Sequence, residues 1–123
     1  MVDITPLIGK GRQLITGYGG GGFKINQEPV EGAVLIFTDE VKALGDIQTL
    51  TADHAKLVLD KEPSVELLLI GTGKQIQYIP DEIRQLIRAS NIAMEIMDTG
   101  AACRTYNVLL TEERRVAALL IAV

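Results

Sequence analysis

Residues 65–73 read VELLLIGTG and residues 92–104 read IAMEIMDTGAACR, and the two stretches share one grammar. Each is a short apolar run of strand length that stops at a glycine-containing turn. Val65–Ile70 and Ile92–Met97 are therefore expected as strands. Between them, Pro80–Ser90 (PDEIRQLIRAS) has the marks of a helix. Pro80 suits a first turn, and Asp81 and Glu82 complement the positive end of the dipole. Ile83, Leu86 and Ile87 form an apolar stripe, with Arg84, Gln85 and Arg88 facing away from it. Asn91 suits a left-handed stop. After the second strand, Asp98 or Thr99 is a good N-cap for a helix running to about Leu110, with Ala102, Tyr106 and Leu109 on one face. Residues 116–123, VAALLIAV, are apolar throughout and are expected to form a central strand covered on both faces. Strand, helix, strand, helix, strand implies parallel pairing with right-handed crossovers.

Upstream, Thr51–Asp60 is expected as a helix with Ala55, Val58 and Leu59 on one face and Thr51 or Asp53 at its start, and Pro63 ends the segment. His54 falls on its polar face. Arg12–Tyr18 and the segment around Phe23 and Ile25 are expected as strands separated by the glycines 19–22, and Ala33–Phe37 as a buried strand. The whole reads as one α/β domain, residues 1–123, with a mixed β-sheet and helices packed on it. Antiparallel strands come from the first half and parallel ones from the second.

The chain has 123 residues, 47% of them apolar and 23% charged, which are ordinary globular values and exclude intrinsic disorder. A net charge of −4 and only five aromatics argue against nucleic-acid binding. One cysteine and one histidine allow no internal disulfide and make a metal site improbable, so neither a metal nor a cofactor is expected. No apolar run reaches the ~20 residues of a membrane span, and the first 13 residues lack a signal-peptide pattern. The expectation is a cytoplasmic protein that is not membrane-embedded.

Gly17–Gly22 matches G-x-G-x-x-G literally, yet Phe23–Asn26 looks extended where a dinucleotide fingerprint must open a helix, so it is read as a β connection. In Gly71-Thr72-Gly73-Lys74 the lysine is followed by Gln75, which does not fit a P-loop. Asp98–Arg104 opens a helix whose free amides attract anions, and its small residues suit close packing equally well. Two parallel strands place both loops above one sheet edge, where open α/β sheets bind ligands. Gly71, Thr72, Gly73, Asp98, Thr99, Arg104 and Tyr106 are therefore the candidate ligand-binding residues, with Asp98 itself competing for the helix amides. Cys103 lacks an obvious base. Glu66 and Glu95, each within an apolar run, are expected to face an edge or pair with an arginine such as Arg104 or Arg115. No catalytic residue is assigned.

Gly-Thr-Gly after a strand, Glu-x-Met-Asp-Thr (95–99), Ala-x-x-Thr-Tyr-Asn (102–107), Glu-x-Arg (112–114) and a Tyr-Gly-x-Gly-Phe-like stretch from Tyr18 to Phe23 together resemble the Mth938-like family, or domain of unknown function 498. The resemblance runs from about Thr5 to the end, with Glu113 standing where the family has a glycine. It implies a single α/β domain with a mixed sheet and no established enzyme activity, metal or cofactor. Mitochondrial relatives are assembly factors for respiratory complex I, another animal relative is cytosolic and linked to adipocyte differentiation, and bacterial members are mostly hypothetical proteins. The resulting reading is a non-enzymatic assembly factor with a protein partner. The alternative is a small-ligand-binding protein or enzyme with a pocket between the Gly71–Gly73 and Asp98–Arg104 loops.

Overall fold

The computed structural model describes residues 11–123, so the expectation that the chain begins without a leader lies largely outside the described residues. The strands are β1 Ile15–Gly19, β2 Gly22–Ile25, β3 Glu28–Glu31, β4 Ala33–Phe37, β5 Val41–Gly45, β6 Leu67–Gly71, β7 Ala93–Met97 and β8 Val116–Leu120. The helices are α1 Ala52–Leu59, α2 Asp81–Ala89 and α3 Thr99–Leu110. The fold is a mixed α/β domain with two sheets.

The larger sheet has the order β5-β4-β8-β6-β7. β6 pairs in parallel with both β7 and β8, while β4 joins β8 antiparallel. Its three inner strands are buried along their whole length, which is why their sequences are apolar without alternation. The alternation survives in which face each residue serves. Val34, Ile36, Leu67, Leu69, Val116, Ala118 and Leu120 meet α3 and the small sheet. Leu35, Phe37, Leu68, Ile70, Ala117 and Leu119 meet α1 and α2.

The first three strands form their own antiparallel sheet rather than extending the mixed one. The glycine run is its first turn, with Gly19, Gly20 and Gly21 all at positive φ (129°, 63° and 84°), a conformation that L side chains rarely adopt. Two strands carry no sequence signal. β3 (EPVE) is mostly exposed and β5 (VKALG) is half-buried at best, because both lie at sheet edges.

Four expected side-chain positions shift, the first being Leu59 of α1, which is half-buried beside the buried Ala55 and Val58. Leu86 is half-buried, while the other two members of its stripe, Ile83 and Ile87, are buried as expected. Leu109 is also half-buried, because the inward face of α3 runs through Thr99, Ala102, Cys103, Tyr106 and Leu110. His54 is not simply solvated. At the third position of α1 its Nδ1 accepts the Thr51 N–H at 2.9 Å, taking the place of the glutamate in a capping box. Glu66 pairs with Arg115 at 3.2 Å and Glu95 is exposed on the edge strand β7.

Candidate functional site

The parallel pairing of β6 and β7 brings Gly71, Thr72, Gly73, Asp98 and Thr99 together at one end of the sheet. What they form there is a latch. The Thr99 N–H donates to the Gly73 carbonyl at 2.8 Å. The Thr99 hydroxyl donates to the Ile121 carbonyl at 2.7 Å and accepts the Gly73 N–H at 2.9 Å. The Thr72 N–H donates to Met97 at 3.0 Å, and the Ile121 N–H to Gly71 at 2.9 Å. The Thr72 hydroxyl donates to the Gln75 carbonyl at 2.8 Å and accepts the Gln77 N–H at 3.0 Å, folding the following loop back. Thr99 is 0% exposed and Thr72 7%.

Packing closes the same space. A β-carbon on Gly71 would stand 2.9 Å from Leu120 Cδ2 and 2.9 Å from the Thr99 α-carbon, so only glycine lets the strand end meet the helix start. Asp98 caps α3, its carboxylate accepting the Ala101 N–H at 2.9 Å. That bond uses one of the free amides an anion would need. A cavity of about 60 Å³ beside the latch touches Thr72, with Leu50, Tyr78, Ile79 and Ile121, but does not reach Asp98, Thr99 or Arg104. Ligand pockets are typically about 300–1,000 Å³. A wider concavity of about 400 Å³ lies elsewhere, along the small sheet between Tyr18, Lys24, Val30 and Glu31.

The two remaining candidates point away from the latch. Arg104 is exposed and donates from Nη1 to the Tyr18 hydroxyl at 2.8 Å. A β-carbon on Gly100 would stand 2.9 Å from that same hydroxyl. Tyr18 is thus tied to the start of α3. Tyr106 is 0% exposed and does not converge on the loops. Its hydroxyl donates to the Gln13 carbonyl at 2.7 Å and lies 3.2 Å from that of Phe37. Its neighbour Asn107 accepts the Ile15 N–H at 3.0 Å and donates to the Ile15 carbonyl at 2.7 Å, acting as an extra strand beside β1. Asn107 therefore clamps β1 of the small sheet to α3, while Tyr106 ties α3 to the segment before β1 and to the end of β4. The roles of Tyr18 and Asn107 have no local signal, because their partners lie 86 and 92 residues away.

Burial pushes the Cys103 thiol up to about 12, the opposite of what a nucleophile needs. Lys61 bonds Asp39 at 2.7 Å and Glu40 at 2.9 Å, and these bonds raise its pKa, so it is not a free amine. Among the described residues, no three His, Cys, Asp or Glu side chains gather as metal ligands would.

A mixed sheet with α3 latched across the ends of β6 and β7 and clamped to a small β-sheet defines a mixed α/β module. Residues 15–121 match the family described as "Protein of unknown function (DUF498/DUF598)", and the chain belongs to that family. A curated human relative, "NADH dehydrogenase [ubiquinone] 1 alpha subcomplex assembly factor 3", is 34% identical over 109 residues, covering 87% of this chain and 59% of the relative. The chain thus spans about three-fifths of that protein. A crystal structure from Bartonella henselae, titled as an outer membrane protein, has a TM-score of 0.84 at 38% identity, covering 91% of this chain and 96% of the other. A Bordetella pertussis solution structure, titled as a Mth938-like domain, has a TM-score of 0.78 at 26% identity, covering 99% and 90%. Among the described residues no helix is long and apolar enough to cross a membrane.

Proposed function

We propose that this chain is a non-enzymatic, protein-binding assembly factor that acts on a respiratory NADH dehydrogenase from the cytoplasmic side of the membrane. The observation that carries this reading is the 34% identity to a human assembly factor of that complex, spread over 87% of the chain. The latch supports it. The polar groups at the carboxyl ends of β6 and β7 bond one another, which argues against the alternative of a small ligand held between Gly71–Gly73 and Asp98–Arg104. In this reading Gly71, Thr72, Gly73, Asp98 and Thr99 hold the fold, Arg104 ties β1 to α3, and Tyr106 ties α3 to the segment before β1 and to β4. The test is deletion of the gene in its native cell, followed by native-gel analysis of the NADH dehydrogenase. Accumulated subassemblies, restored by the reintroduced gene, are expected. A fully assembled complex at normal abundance would contradict the proposal.

A further inference from the structure

Among the described residues, the outer side of β7 is an unpaired strand edge. Ala93 donates its N–H to Glu66 at 3.1 Å, and Met97 accepts from Thr72 at 3.0 Å. Backbone groups alternate in direction along a strand. Ala93, Glu95 and Met97 therefore bond toward β6, and Met94 and Ile96 aim their N–H and C=O groups outward. Those outward groups have no partner among the described residues.

The other outer strands carry the devices that proteins use against edge pairing. The Ile15 groups of β1 are bonded by the Asn107 side chain, β3 contains Pro29, and β5 carries an exposed Lys42 and an irregular register where Ala43–Gly45 meets Ala33 and Val34. β7 pairs in regular register along its length and has neither proline nor lysine. Its Met94 and Ile96 side chains flank the core beneath α2, half-buried, and Glu95 stands exposed on the opposite face. A second copy of this chain is a poor occupant. The two-fold antiparallel register that uses both outward residues sets Met94 against Ile96 and sets Glu95 directly against Glu95, at the close Cα spacing of a non-hydrogen-bonded pair.

We infer that β7 is the docking edge for an extended segment of a partner protein. That segment adds an antiparallel strand, with a lysine or arginine opposite Glu95 and apolar side chains opposite Met94 and Ile96. The inference rests on the assembly-factor reading and names the surface such a factor would use.

The probe is a short synthetic peptide of alternating valine and threonine with a central lysine, N-methylated along one edge so that it cannot stack on itself. Titrated against the full chain by NMR, it is expected to shift the Met94 and Ile96 amides. A central-glutamate peptide should bind about five- to tenfold more weakly, and Glu95→Lys should reverse that preference. Met94→Pro removes an outward N–H without touching the β6 ladder, so it should fold and bind neither peptide. Glu95→Lys tests the charge match independently of how well the proline variant folds. Shifts confined to other surfaces, or a preference indifferent to residue 95, would overturn the inference. The two proposals fail separately. Normal complex assembly after deletion, with the peptide still bound at β7, rejects the functional reading alone. Full rescue of a deletion by Met94→Pro rejects the docking edge alone.

Discussion

At the carboxyl ends of β6 and β7 the chain reversals would leave buried backbone groups bare, and Thr99, Thr72 and Asp98 satisfy them from within. Along the outer side of β7, one strand away, nothing in the described chain answers Met94 and Ile96. Both regions belong to the same βαβ unit. The closed one fixes geometry and leaves little room for a small molecule, whereas the open one presents main-chain groups of the kind another extended chain pairs with. A protein with this division is suited to recognising proteins.

The strongest way to break the closed side is Thr99→Val, which keeps the shape and removes the hydroxyl. The Gly73 N–H and the Ile121 carbonyl then lose a buried partner, at about 1–3 kcal/mol for each group. Denaturant midpoints should show a loss of about 2–6 kcal/mol, and Thr99→Ser should recover much of it. A cost no larger than that of a surface change would mean the latch is not closed. Gly71→Ala comes next. Its β-carbon would press on the Thr99 backbone and Leu120, and overpacking of this kind costs about 1–3 kcal/mol.

A gentler probe uses pH. Burial raises the Cys103 thiol from 9.0 to about 12 and the Tyr106 phenol above its usual 10.0. Both groups are neutral when protonated, so the folded state holds these protons more tightly than the unfolded chain. Their contribution is complete below the unfolded values and is lost as pH rises through the folded ones. The thermal midpoint should be insensitive to these two groups near neutrality and should fall above about pH 9. Cys103→Ala should flatten the first part of that fall, and an unchanged alkaline limb would show that the thiol is not buried.

Much of the architecture was legible because burial writes itself into sequence. β4, β6 and β8 are sandwiched between layers and read as apolar runs, and the cap and proline chemistry around α2 and α3 marks their starts. Edge strands bury little, so β3 and β5 left no comparable trace. The meeting of the Gly71–Gly73 and Asp98–Thr99 loops followed from the parallel pairing. Their mutual saturation did not, since it depends on the Ile121 carbonyl arriving from the end of the sequence. Tyr106 lies two turns into the helix that those loops open, and helical rotation carries it to the Gln13 side.

Residue-resolved native-state hydrogen exchange tests the contrast between the latch and the edge most directly. The amides of Gly73, Thr99 and Ile121 should be protected to a degree comparable with the core amides of Leu68–Ile70. Those of Met94 and Ile96 should exchange rapidly, while Ala93, bonded inward on the same strand, stays protected. Fast exchange at Gly73 and Thr99, or protection at Met94 and Ile96 matching that of Ala93, would contradict the division between a closed loop end and an open strand edge.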